Sequence, residues 1–226
     1  RPDGLFLVEK SLRRQTFKDW EWIIVSPEKP GDISIDFVWV KDPGKNDGDY
    51  WSVYKAYNVA VKKAKGELIV SWQDWTYVNP DTLDKLWTHY KCEPDTIISG
   101  VGHKYSDDTW TQLIWKDPRE REDMGRFYET DYNNIEWNFC SVPKQALYDV
   151  GGFDEYFDKF SSLCGLDVLA RLSAVGGWRF KLNQDIKTYS LNHGRLPEWE
   201  KNEPFNGPWQ DRLHSYIANP VLKYLN

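Results

Sequence analysis

The sequence predicts an α/β domain with a mainly parallel central sheet and helices on both faces. Three observations carry that expectation. Short apolar runs, Trp22–Val25, Phe37–Val40 and Leu68–Trp72, read as buried strands. They alternate with segments whose apolar residues recur at helical spacing. The links between them are short and polar, with Gly and Pro punctuation, which is the pattern of a sheet covered on both sides.

Each element has its own signal. Asp3 can cap a helix whose apolar face is Leu5, Val8 and Leu12. Trp22–Val25 stops at Ser26-Pro27, and Phe37–Val40 stops at the Gly/Pro loop 41–49. From about Tyr50 to Ala64, a helix gathers Val53, Tyr57, Ala60, Val61 and Ala64 on one side, and Lys65-Gly66 ends it. Leu68–Trp72 follows as a strand. Asn79-Pro80 opens a helix running to about Tyr90. Thr96–Val101 reads as a strand, and 104–135 as polar and loop-rich. Lys144–Val150 and Leu166–Ala174 read as helices, and Trp178–Lys181 and Ile186–Leu191 as strands. A tail rich in Pro, Asn and Glu follows from Gly194, before an amphipathic segment at Trp209–Ile217.

A chain of 226 residues accommodates one such domain with a substantial core. A formal charge of −6 with scattered basic residues argues against bulk electrostatic binding to nucleic acid or anionic membrane. Three cysteines without metal-ligand spacing suggest a reducing compartment, the cytoplasm. No apolar stretch is long enough to cross a bilayer. Thirteen tryptophans and thirteen tyrosines suit sugar rings or bases, but core packing explains most of them. The stretch SWQDW is the sharpest local feature: an apolar strand stops at Gln73-Asp74 between two indoles, where open α/β sheets place their ligands.

Several phrases in order resemble the inverting, nucleotide-sugar-dependent glycosyltransferases of family 2, which have the GT-A fold. They are SLRRQTFKDWEWIIV (11–25), AYNVAVKKAKGELIVSWQDW (56–75), DVGGFDEYF (149–157) and LDVLARLSAVGG (166–177). The resemblance covers about residues 1–195. It implies a single GT-A-like domain: a Rossmann-like nucleotide-sugar half over 1–100, an acceptor and catalytic half over 101–195, and a tail with a helix over 196–226. The sequence also departs from the family. Its first strand is absent, and Arg1-Pro2-Asp3 aligns with the end of its first loop. Gln73 and Trp75 stand in place of the two aspartates of its Asp-x-Asp motif, leaving Asp74. Its acidic motif is reduced to Cys164-Gly165-Leu166-Asp167. These departures suggest a divergent, phage- or virus-like subgroup, acting in the host cytoplasm if viral.

Transfer from a nucleotide-diphosphate sugar develops negative charge on the leaving group and requires the acceptor hydroxyl to lose its proton. A divalent ion, Mn²⁺ or Mg²⁺, meets the first need as a Lewis acid. The resemblance implies Asp74 and His193 as its ligands. A general base meets the second, and the resemblance implies Asp167. It also places Ser26, Glu28, Lys55, Asn58, Gln73, Asp74 and Trp75 around the donor, a UDP-sugar before others. Trp137, Asn138 and Gly165 fall on the acceptor side. The acceptor itself, a glycan, a lipid, a protein or a modified DNA base, is left open. Two alternatives stand beside this: a catalytically reduced protein of the same fold, and a carbohydrate-binding module that uses the tryptophans. A nucleotidyltransferase is disfavoured, since no Gly-rich phosphate loop stands near the start.

Overall fold

The computed structural model describes residues 4–160, 165–192, 212 and 215–225. Helix α1 (Leu5–Arg14) buries Val8 and Leu12 as expected, but Leu7 in place of the half-buried Leu5, and the expected cap Asp3 lies outside the described residues. Strands β1 (Ile23–Ser26) and β2 (Val38–Lys41) pair in parallel, with Ile23 opposite Val38. Helix α2 (Val53–Lys63) follows, then β3 (Leu68–Trp72), a short β4 (Thr76–Val78) and α3 (Thr82–Cys92). The second half runs β5 (Thr96–Tyr105), β6 (Leu113–Lys116), β7 (Phe127–Thr130), β8 (Phe139–Pro143), α4 (Lys144–Asp149), α5 (Leu166–Val175) and β9 (Arg179–Leu191).

The α/β class is as expected, but the sheet is mixed. Its main path is β3-β8-β5-β9-β4, with β6 added to β5 and β7 to β9. Among the described residues only β1–β2 and β5–β9 are parallel, and the other five ladders are antiparallel. Contrary to expectation, β3 does not pair with β1 or β2; its ladder is with β8. The two strands expected at 178–181 and 186–191 are one continuous β9, which pairs with β5 at Arg179–Leu182 and again at Lys187–Leu191 across a register shift. The supposedly loop-rich stretch 104–135 contains β6 and β7, which pair with β5 and β9.

Because β8 runs against both β3 and β5, and β5 runs with β9, the strands β3, β5 and β9 end at the same edge. Apolar cores lie on the two faces of the sheet. One joins α2, α4 and α5 through Tyr54, Val61, Leu147 and Leu169, with Ile69 of β3 against it. The other joins α1 and α3 through Val8, Leu12, Leu83 and Leu86, with Leu68, Val70 and Trp72 against it. The period-2 alternation of β3 thus serves both layers. Among the described residues no helix is long and apolar enough to cross a membrane.

Candidate active site at the carboxyl edge

At the common edge of β3, β5 and β9 the chain turns through Gln73-Asp74-Trp75. Trp75 sits at φ +61°, a left-handed conformation that a bulky residue adopts only when its surroundings impose it. They do so from both sides. The Trp75 N–H donates to the Gly4 carbonyl (3.2 Å), and its carbonyl accepts from the Leu191 N–H (3.2 Å). Its indole packs so closely on Gly4 that a Cβ there would meet Cδ1 at 2.3 Å, and Phe6 stands edge-on to the ring. Glycine is therefore required at position 4. Trp75 fastens the start of α1 to the ends of β3 and β9, so its ring serves packing on at least one face.

Gln73 is exposed, and its N–H donates to the carbonyl of exposed Asn138 (2.8 Å). The structure thus brings Gln73, Asp74, Trp75 and Asn138 together. Asp74 is half-buried in the turn. Trp137 is a correction: it is 3 % exposed and edge-on to Tyr57 and Phe153, so it fills the core and offers no open acceptor platform. Gly165, at φ +81°, is needed for that packing, since a Cβ on it would lie 2.4 Å from Trp137 Cβ and Cγ.

The donor-side residues divide. Ser26 ends β1 and Glu28 follows it; the Ser26 hydroxyl donates to the Glu28 carbonyl and accepts from the Trp39 indole. Lys55 is buried and ion-paired with Asp49. Asn58 is a second correction. It is 2 % exposed, with its amide donating to the Phe153 carbonyl and Glu155 and accepting from the Phe153 N–H. That amide is committed to the Gly-Gly-Phe-Asp-Glu turn and has nothing left for a nucleotide.

Asp167 is the third correction. It is wholly buried on α5, and Oδ2 accepts from Arg171 (2.8 Å) and from the Asp154 N–H (2.8 Å). Burial pushes its carboxyl above the usual range, against the pull of Arg171. A base must reach the acceptor oxygen, whereas this carboxylate is locked into an interior ion pair with a residue one helical turn away. Arg171 also donates to the carbonyls of Val150 (2.6 Å) and Gly152, so the pair holds the glycine turn against α5.

Two more acids have roles that sequence reasoning missed. Asp154, fully buried, accepts from Arg212 (2.7 Å), Tyr216 (2.7 Å) and Tyr224 (3.1 Å). Burial alone would raise its pKa, but these donors hold it below the usual carboxylate value. Asp158 accepts from the Tyr54 (2.9 Å) and Lys55 (3.2 Å) N–H groups at the start of α2, a helix cap supplied from far along the chain. Burial raises its pKa to about 6. The run of acids in FDEYFD is the only signal the sequence offers for either role.

His193 lies outside the described residues. Among the described residues no group of three His, Cys, Asp or Glu is placed to hold a metal ion. Asp74 is a single carboxylate at the edge, and that donor set suits Mg²⁺ or Mn²⁺ only where a substrate diphosphate supplies further oxygens.

No protein-family model and no curated protein sequence matches the chain. Solved structures do. A Staphylococcus aureus TarS fragment, residues 1–349, in complex with UDP matches with TM-score 0.55 and 16 % identity, over 94 % of this chain and 67 % of that one. GalNAc-T7 with UDP, GalNAc and Mn²⁺ matches with TM-score 0.60 and 9 % identity, over 86 % of this chain and 42 % of that one. The chain has the GT-A fold. A longer TarS structure matches with TM-score 0.60 and 15 % identity, and this chain spans 41 % of its length. The GT-A likeness therefore extends over nearly all of this chain and over less than half of two of these three neighbours.

Proposed function

We propose that the chain binds a nucleotide-diphosphate sugar, a UDP-sugar before others, and transfers its sugar to an acceptor hydroxyl. The observation that carries this is the strained Gln73-Asp74-Trp75 turn at the carboxyl edge of a GT-A sheet. The neighbours TarS and GalNAc-T7, solved with UDP, support the donor class. In this reading residues 1–100 form the nucleotide half and 101–195 the acceptor half. A divalent ion, supported by the GalNAc-T7 structure with Mn²⁺, would be held by Asp74 and His193 and would offset charge on the diphosphate. Gln73 and Asn138, adjacent and exposed, would orient sugar hydroxyls through their amides. The finer reading is an inverting family 2 enzyme of a phage- or virus-like subgroup, acting in the cytoplasm on a glycan or another hydroxyl.

A second reading has its own observation. The one acid left in the acidic motif, Asp167, is held in an interior ion pair, as expected of a protein that binds the donor without transferring it. A thermal-shift series with UDP, UDP-GlcNAc and free oligosaccharides, each with and without Mn²⁺, tests both readings alongside UDP release. A ligand at a hundred times its Kd stabilises by about 2.7 kcal/mol, which such a scan resolves. The expected result is a UDP-dependent shift enhanced by Mn²⁺ and lost in Asp74→Asn. Binding without UDP release selects the second reading, and a shift with oligosaccharide but none with UDP or UDP-GlcNAc overturns both.

A further inference from the structure

Four aromatic rings from four segments meet on one face of the sheet, next to the Gln73-Asp74-Trp75 turn. Tyr77 of β4 lies opposite Tyr189 of β9, and Tyr189 lies opposite His103 of β5, two residues before Tyr105. Residues paired across a ladder share a face, as do residues two apart on a strand, so Tyr77, Tyr189 and Tyr105 form one row. The Tyr105 and Tyr189 rings stack with centroids 5.9 Å apart. Trp110, in the turn between β5 and β6, folds back over all three. Its ring centroid is 5.7 Å from Tyr77, 5.6 Å from Tyr105 and 5.7 Å from Tyr189. The row starts two residues past Trp75, whose carbonyl accepts from Leu191, and Leu191 lies opposite Tyr105.

We propose that this cluster is the acceptor subsite, and that the acceptor is a neutral glycan whose sugar ring stacks on the outer face of Trp110. Its role as an acceptor site rests on the transferase reading; its chemistry as a sugar platform does not. The way Trp110 is presented is the first reason. It has φ +60°, and among the described residues only Trp75 shares that left-handed region without being glycine. Such a conformation persists where the surroundings over-determine it. The Asp107 carboxylate does so, accepting from the N–H groups of Thr109 (3.0 Å), Thr111 (3.2 Å) and Gln112 (2.7 Å). The Trp110 N–H also donates to the Asp107 carbonyl (3.4 Å). The turn is built round one carboxylate, and it holds an indole at the ligand edge.

Exposure and charge select the occupant. Tyr77 and Tyr105 are buried, whereas Trp110 and Tyr189 are half-buried. The three tyrosines lie on the sheet side of the indole, so its opposite face meets solvent. Among the described residues none of the three phenol hydroxyls bonds to the protein, and none is a buried orphan. A flat aromatic face edged by free hydroxyls matches a sugar, with its C–H face and its ring of hydroxyls. The turn 106–112, SDDTWTQ, carries two carboxylates and no cation. Lys104, at the base of the hairpin, points to the other face of the sheet, where its Nζ lies over Trp115. A nucleic acid or an anionic headgroup is repelled by such a rim. A neutral glycan is not, and exposed Asp108 offers acceptors to its hydroxyls.

The test is calorimetric titration of the full chain with chitotetraose, cellotetraose and maltotetraose, and with a thymidine oligonucleotide and a Ser/Thr-rich peptide for comparison. Trp110→Asn removes the ring while keeping a residue that tolerates the left-handed turn, and Trp110→Phe keeps a ring. At least one saccharide is expected to bind, about tenfold or more weaker to Trp110→Asn and less affected by Trp110→Phe. Equal affinity for the wild type and Trp110→Asn overturns the platform, as does binding of none of the three saccharides at millimolar concentration. Binding of the oligonucleotide or the peptide through Trp110, without saccharide binding, overturns the glycan assignment. If Trp110→Asn does not fold, Tyr189→Leu, which keeps apolar contact and removes a ring and its hydroxyl, gives the same readout. The UDP-dependent thermal shift of the unaltered chain is read separately. Its absence removes the transferase reading, while saccharide binding through Trp110 still marks the cluster as a carbohydrate site.

Discussion

Asp167 and Arg171 are four positions apart on α5, and the stretch DVLAR displays that spacing directly. The family resemblance drew attention to the acid alone. Their burial decides the role: removing one partner of a buried pair leaves an uncompensated charge, at about 3–5 kcal/mol. Asp167→Asn is therefore expected to lower Tm strongly, with the loss measurable in the absence of any substrate. An unchanged Tm with abolished UDP release would return Asp167 to catalysis. The correction at Asn58 has a similar origin. Its partners Phe153 and Glu155 lie 95 and 97 residues away, so nothing local told a structural amide from a nucleotide ligand.

Among elements, α2 shows what pattern can and cannot reveal. Its apolar face was legible in the spacing of Tyr57, Val61 and Ala64, but its cap was not. Ser52 precedes the helix without a side-chain cap bond, and Asp158 supplies the cap from 104 residues away. That carboxyl titrates at about 6 when folded, above its ordinary 3.8, because burial favours the neutral form. Between those values the folded state holds a proton that the unfolded chain has released, so the contribution is present below pH 4 and lost as pH rises through 6. The Tm of the wild type relative to Asp158→Asn is expected to fall from pH 4 to pH 7; parallel curves would refute the shift. Strands β6 and β7 escaped the sequence for a related reason. Each is an apolar or aromatic run of four residues, LIWK and FYET, set in a polar and charged surrounding, and pairing with β5 and β9 makes them strands.

Across the whole molecule, the α/β class was legible because the alternation of strands and helices is a local feature. The mixed order of the sheet was not, since β8 enters between β3 and β5 from a distant part of the chain. The same distance governs the Gly-Gly turn. Leu222 and Tyr224 donate to the carbonyls of Val150 and Gly151, while Tyr216 and Tyr224 donate to Asp154. A Cβ on Gly151 would lie 1.7 Å from the Leu222 carbonyl oxygen, so the approach tolerates only glycine. Asp154→Asn is expected to loosen this segment, and limited proteolysis would show cleavage after residue 212 earlier than in the wild type. Equal cleavage rates would show that the backbone bonds to Val150 and Gly151 suffice without the carboxylate.

The partners of Asp154 come 58, 62 and 70 residues after it. A ribosome therefore releases this carboxylate well before anything able to neutralise it. Until Arg212 and both tyrosines emerge, the acid stays in water, and the turn that seats α5 waits with it. The turn at Gly151-Gly152 closes only when Leu222 and Tyr224, about seventy residues further along, reach its carbonyls.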